Sequence, residues 1–240
     1  MGFFQKIQKA KRPFCTAIVV AAGNASRMKG VDKVMTTVGD KPVIAHTLLA
    51  FEACERVDEV IVVTRSDLIV PISDVCKTYG IAKVKHVVEG GSTRTESVLK
   101  GLNRADSKSQ LAAIHDGARP FVTNRIIEET IHAAAVNAAA APAIPVTDTI
   151  KEAEDHLVCG TPDRSRLFAV QTPQVFDIDL VRGALFHCMT KGIPLTDDCS
   201  AVEQIGKKVM LTDGSPRNIK ITTQFDLLIG EAILSCPDAT

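Results

Sequence analysis

The 240-residue chain balances 28 Lys plus Arg against 28 Asp plus Glu, is 45% hydrophobic and 23% charged, and holds only 4% aromatic residues with no Trp. That composition excludes a disordered chain and fits one or at most two globular domains. With no net charge to grip a polyanion and few rings to stack bases, a nucleic-acid partner is not expected, and any anion site must be local.

In chain order, an apolar run at 17–21 (AIVVA) predicts a buried strand. A helix at 41–54 follows, with Val43, Ile44, Thr47, Leu48 and Phe51 on one face. A second strand is expected at 59–64 (EVIVVT), then a helix with Pro71 in its first turn, ending near Tyr79 with Gly80 as its stop. Strands at 84–88, 111–115 and 139–146 alternate with helices at 94–105 and 124–137. This alternation predicts an α/β fold, a Rossmann-like and mostly parallel sheet with helices on both faces, whose ligands sit where loops leave the carboxyl ends of the strands.

The alternation breaks after Val146. Two β-prone stretches, 148–152 and 157–160, flank a polar turn and are followed by Pro162, Arg164 and Gln171-Thr-Pro-Gln174, which together suggest an inserted β-arm over about 147–172. Helices at 179–188 and 197–205, a strand at 208–211 and a helix opened by a Thr223/Asp226 capping box return the chain to the core. Residues 15–240 thus make a single domain behind an N-terminal extension, 1–14. No run approaches the ~20 apolar residues of a bilayer span, and residues 1–14 lack a secretory pattern, so a cytoplasmic protein with no membrane partner is expected. Seven Cys, an odd number with no C-x-x-C pair, argue against a disulfide framework or a zinc cluster.

Four segments carry candidate chemistry. The first strand runs into Ala21-Ala22-Gly23, with Arg27 and Lys33 close behind: small residues let backbone N–H groups approach a phosphate, and the two cations supply fixed positive charge. The spacing matches neither the dinucleotide fingerprint nor the P-loop, which sets aside a nicotinamide oxidoreductase. Glu89-Gly90-Gly91-Ser92-Thr93-Arg94 leads from strand to helix, where the glycines would let a base or ribose lie against the backbone. His115-Asp116-Gly117-Ala118-Arg119-Pro120 ends a central strand, so Asp116 could hold Mg²⁺ bridging a nucleotide's phosphates, while His115 reads as a packed strand residue. Lys220 lies between Ile219 and Ile221 and should face away from them.

Taken in order, A-A-G-x-x-x-R-M, G-G-x-x-R-x-x-S-V, H-D-x-A-R-P, P-V-x-D-T-I-K, Q-T-P-Q, D-D-x-S-A-V-E and N-I-K-I-T resemble the 2-C-methyl-D-erythritol 4-phosphate cytidylyltransferases over about residues 15–234. The resemblance implies transfer of CMP from CTP to methylerythritol phosphate in non-mevalonate isoprenoid synthesis, with release of pyrophosphate. It implies that Ala21, Ala22, Gly23, Arg27 and Lys33 cradle the CTP phosphates, that Gly91 and Ser97 lie against cytosine and ribose, and that Asp116 binds Mg²⁺ or another divalent cation. Arg119 and Thr149 match positions that contact the acceptor, Lys220 the lysine that reaches the α-phosphate, and Arg164 a residue that crosses a homodimer interface formed by the arm. Two departures stand out: Ala25 replaces a glycine common in the family, and Asp32-Lys33-Val34 stands where many members have Pro-Lys-Gln. A ribitol 5-phosphate cytidylyltransferase is the nearest rival reading. A regulatory protein that has lost catalysis would be expected to lack Arg27, Lys33, Asp116 or Lys220, and all four are present.

Overall fold

The computed structural model describes residues 12–23 and 32–236. Its centre is an eight-stranded sheet. Strands β1 (Cys15–Ala21), β4 (Glu59–Thr64), β5 (Val84–Glu89) and β6 (Leu111–Asp116) are parallel, with β1 flanked by β4 and β6. A ribbon of β2 (Thr37–Val38) and β3 (Lys41–Pro42) precedes α1 (Val43–Ala53), so the expected helix at 41–54 starts two residues late, after Pro42. A 3₁₀ turn (Ser66–Leu68) opens α2 (Ile69–Thr78), and α3 (Arg94–Leu102) and α4 (Asn124–Asn137) follow β5 and β6. Beyond β7 (Ala139–Pro145) come the β8 (Glu152–Glu154) and β9 (Leu157–Gly160) hairpin, β10 (Phe168–Val170), β11 (Gln174–Asp177), α5 (Ile178–Lys191), α6 (Asp198–Gln204), β12 (Met210–Asp213) and α7 (Gln224–Ser235). β12 falls two residues after the stretch expected at 208–211.

The parallel strands read as unbroken apolar runs because both their faces are covered. Ala17, Val19, Val60 and Val62 pack against α1, α2 and α4, while Ile18, Ile61, Val63 and Ile114 pack against α3, α5 and α6. The α3 face approaches β1 closely: a Cβ on Gly101 would lie 2.5 Å from Ile18 Cγ2, so only glycine fits there. Thr93, Asp177, Asp197 and Thr223 cap α3, α5, α6 and α7 with their side chains, and the Thr223/Asp226 box forms as expected.

The arm is shorter than its sequence suggests. Phe168–Val170, expected within the arm, already pairs with β7, and Gln171 and Thr172 at the arm's expected end, like Gln174 just beyond it, are buried. β11 then runs antiparallel between β7 and β6, entered through a cis Thr172–Pro173 bond. Polar composition hid this segment: Gln171 Nε2 donates to Ser215 O at 2.7 Å, and Gln174 Oε1 accepts from the Asp198 and Cys199 N–H groups. Buried polar groups need such partners, and here the chain itself provides them.

Candidate active site

A cavity of about 540 Å³ opens at the carboxyl ends of β1, β4, β5 and β6. The chain runs from β1 outward through β4 to β5, then crosses back to β6 on the other side of β1, which creates the crevice where open α/β sheets bind ligands. The volume suits a small molecule. Lys33, Arg65, Arg94 and Lys220 bring positive charge to the walls, and Asp67, Glu89 and Asp116 bring negative charge.

Ala21, Ala22 and Gly23 form one edge where β1 ends. The adjoining edge is the turn from β5 into α3, pressed so tightly against it that a Cβ on Gly90 would lie 2.7 Å from Ala22 Cβ and 2.8 Å from Ser97 Oγ. Ser97 is buried and its hydroxyl serves the turn, donating to Thr93 O at 2.9 Å and accepting from Gly91 N at 3.0 Å. Gly91 therefore presents its backbone to the cavity on a frame that Ser97 holds.

In the wall of the same cavity Lys220 Nζ meets Asp116 Oδ2 at 2.9 Å. Arg119 Nε reaches the same oxygen at 3.4 Å and donates through Nη1 to Asn218 O at 2.7 Å, which ties the segment carrying Lys220 to the end of β6. Ile221 is buried and Lys220 turns the other way, as its place between isoleucines requires. Burial alone would raise the Asp116 pKa, but the Lys220 charge and hydrogen bond, with Arg94 and Arg119 nearby, bring it down to about 2. Asp116 is thus a fixed negative charge at any physiological pH.

Beneath it, Thr172 Oγ1 accepts from Asp116 N at 3.2 Å and pairs with His115 Nδ1 at 3.0 Å, while His115 Nε2 meets Arg119 O at 3.2 Å. One proton arrangement satisfies all three: Thr172 donates to Nδ1, and Nε2–H donates to the carbonyl. Burial pushes the His115 pKa down to about 4. His115 is a neutral strut, as expected from the sequence, and not a base facing the cavity.

A second ion pair braces the cavity from behind. Arg94, the first residue of α3, holds the fully buried Asp198 with two hydrogen bonds of 2.8 and 2.6 Å. Burial alone would lower the Arg94 pKa, but Asp198 raises it further, so the guanidinium stays charged. The pair links the Gly90–Gly91 turn to α6 and, through Gln174, to β11. Arg94 and Asp198 sat inside two of the sequence motifs without an assigned role; an Arg opening a helix and an Asp-Asp pair are signals, but only the fold brings them together.

Across residues 15–236 the chain matches the sequence profile of the 2-C-methyl-D-erythritol 4-phosphate cytidylyltransferases. The chain belongs to that family. It is 44% identical to the enzyme of that name from Clostridium novyi over 221 residues, which cover 91% of this chain and 95% of the relative. A 42% identical relative of the same name comes from Halalkalibacterium halodurans, with 92% and 96% covered. Among solved structures, the 4-diphosphocytidyl-2C-methyl-D-erythritol synthase of Anaerococcus prevotii superposes with a TM-score of 0.84 at 33% identity, covering 93% of this chain and 96% of the other. The cytidylyltransferase of Thermus thermophilus gives 0.72 at 30% identity, with 91% and 98% covered.

The residues that the cytidylyltransferase resemblance singles out fall into three groups. Ala21, Ala22, Gly23, Lys33, Gly91, Ser97, Asp116 and Lys220 line the one cavity, and Arg119 abuts it through Asp116. Arg27, with Ala25, lies outside the described residues. Thr149 and Arg164 are exposed on the arm and are not part of this chain's cavity wall; Arg164 Nη1 donates to Thr147 O at 2.6 Å. No cluster of three or more His, Cys, Asp or Glu able to hold a metal occurs among the described residues. Asp116 by itself suits a cation that arrives with a nucleotide, because Mg²⁺ is commonly held by one or two carboxylates plus substrate phosphates.

Proposed function

We propose that the protein transfers CMP from CTP to 2-C-methyl-D-erythritol 4-phosphate, forming 4-diphosphocytidyl-2-C-methyl-D-erythritol and pyrophosphate in non-mevalonate isoprenoid biosynthesis. The observation that carries this reading is the Lys220–Asp116 pair, 2.9 Å apart, facing a cavity edged by Ala21-Ala22-Gly23 and Gly90-Gly91 in a chain of this family. Such a cavity suits a nucleoside triphosphate: small residues to approach phosphates, glycines to approach the base, and cations between them.

The acceptor oxygen is already an ionised phosphate, so the reaction needs no strong general base, consistent with a His115 that is buried and neutral. The difficulty is charge. Two anions must meet, and the α-phosphorus gains negative charge as it becomes five-coordinate. Lys220 reaches the α-phosphate, while Lys33 and Arg27 hold the phosphates that leave as pyrophosphate. Asp116 keeps the Lys220 ammonium aimed, and Arg119 contacts the acceptor phosphate. Each such preorganised charge is worth about 3 kcal/mol in the transition state. A divalent cation such as Mg²⁺, held by Asp116, would supply further neutralisation of the triphosphate.

The arm serves dimerisation in this reading, with Thr149 contacting the acceptor and Arg164 completing the partner's site. Supporting this, Leu157 and Val158 on the hairpin are exposed in the single chain, as is Phe168 of β10, and exposed apolar side chains of this kind suit an interaction surface. No described helix is long and apolar enough to cross a membrane, and the reading places the enzyme in the cytoplasm. The deciding experiment is pyrophosphate release with Mg²⁺, offering CTP, UTP, ATP and GTP in turn against methylerythritol 4-phosphate and ribitol 5-phosphate. Release with CTP and methylerythritol phosphate alone is expected; turnover of ribitol phosphate instead would change the acceptor, and no release with either would end the reading.

A further inference from the structure

Lys33 is bracketed by two anchors. On one side stands Asp32, whose carboxylate divides its work. Asp32 Oδ2 lies 2.7 Å from Arg65 Nη1, and Oδ1 accepts from Val34 N at 3.0 Å. Its carbonyl accepts from Met35 N, Thr36 N and Thr36 Oγ1 at 3.1, 2.9 and 2.9 Å, which closes the turn that carries Lys33. On the other side, Val34 O accepts from Ile44 N at 2.9 Å, fastening the turn to the first residues of α1.

Arg65 is itself held. It is the first residue beyond β4, and its Nε and Nη2 grip both oxygens of Asp67 at 3.0 and 2.9 Å, a two-pronged geometry that leaves Nη1 aimed at Asp32. The side chains of Arg65 and Asp32 are only 27% and 19% exposed, so water competes weakly for this pair. Lys33 Nζ in turn lies 3.9 Å from where a Cβ on Gly23 would stand, across the mouth of the cavity.

We propose that Arg65 and Asp32 are positioning residues for Lys33: their ion pair fixes the turn that delivers the Lys33 ammonium to the triphosphate. The proposal rests on the assignment of the cavity to CTP. It also accounts for the local sequence. Where many members of the family have Pro before this lysine, with a backbone stiffened by the ring, this chain has Asp32 and stiffens the same point through Arg65.

Steady-state kinetics on four variants tests it, with CTP and the acceptor varied separately. Asp32→Asn keeps an oxygen for Val34 N but gives up the ion pair, and Arg65→Ala removes the pair from the other side. Both should lower kcat/KM for CTP on the order of 10-fold, between the little an exposed ion pair is worth and the roughly 100-fold that a 1 Å misplacement costs. The acceptor KM should not change. Because Arg65 acts through Lys33, Arg65→Ala/Lys33→Ala should be no worse than Lys33→Ala alone. Asp32→Asn with the native constants for CTP, or a double variant whose loss is the product of the two single losses, overturns the positioning role while leaving the CTP assignment intact. Native kinetics from Lys33→Ala overturns both that role and the assignment of Lys33 to the phosphates.

Discussion

Removing either half of the Arg94–Asp198 pair should produce unequal damage. Asp198 is completely buried, whereas the Arg94 side chain is 35% exposed at the cavity. Arg94→Ala strands a carboxylate with no water around it, and breaking a buried pair in this way costs about 3–5 kcal/mol. Asp198→Ala leaves a guanidinium that can turn into the cavity and rehydrate, so its cost should be lower, about 2 kcal/mol. Arg94→Ala/Asp198→Ala should cost less than the sum of the two, with a coupling of about 2 kcal/mol. Urea unfolding followed by circular dichroism at one protein concentration measures all three. The Arg94→Ala deficit should also grow as the pH rises above the ordinary carboxylate range: burial already raises the Asp198 pKa in the native protein, and without Arg94 the folded state holds that proton more tightly still, so raising the pH favours unfolding. Losses that add within about 0.5 kcal/mol, or a larger cost for Asp198→Ala than for Arg94→Ala, would refute the reasoning.

Three further outcomes concern the site and the cap of α7. Lys220→Ala and Asp116→Asn should each lower kcat by about 100-fold or more, and Asp116→Asn should also flatten the dependence on Mg²⁺; steady-state rates across a magnesium titration check both. Gly90→Ala should raise KM for CTP, because its Cβ must displace Ala22 or Ser97 from the turn, and isothermal titration with CTP reads the loss directly. Asp226 accepts from Thr222 N, Thr222 Oγ1 and Thr223 N at 2.7, 2.7 and 2.8 Å. Burial works against its ionised form, but these bonds outweigh it and hold the carboxyl below its usual pKa. Its stabilisation is therefore complete above the ordinary carboxylate range and lost as the pH falls toward the folded value. Asp226→Ala should cost about 1 kcal/mol at pH 7 and progressively less in acid, as thermal melts at several pH values would show.

The alternation of strands and helices was legible from residues 17–146 because a buried parallel strand and an amphipathic helix write different periods into the sequence. Asp116 was legible as a carboxylate at the carboxyl end of a central strand, whereas Lys220 between isoleucines reads by itself as a solvated side chain and was singled out only by the family motif. The Gln171–Gln174 stretch misled because burial there is supported by hydrogen bonds instead of hydrophobicity, and Gln and Thr carry no apolar signal. The pairings Arg94–Asp198 and Asp32–Arg65 span 104 and 33 positions of the chain and arise only when the sheet brings distant loops to one rim. No period or spacing encodes such contacts.

CTP should occupy the cavity at the carboxyl ends of β1, β4, β5 and β6. A crystal structure of the protein grown with CTP and Mg²⁺ tests it most directly. The triphosphate is expected against Ala21–Gly23 and Lys33, the α-phosphate at Lys220 and the cytosine on the Gly90–Gly91 turn. Nucleotide density in any other cavity, or a triphosphate that leaves Lys220 paired only with Asp116, would contradict it.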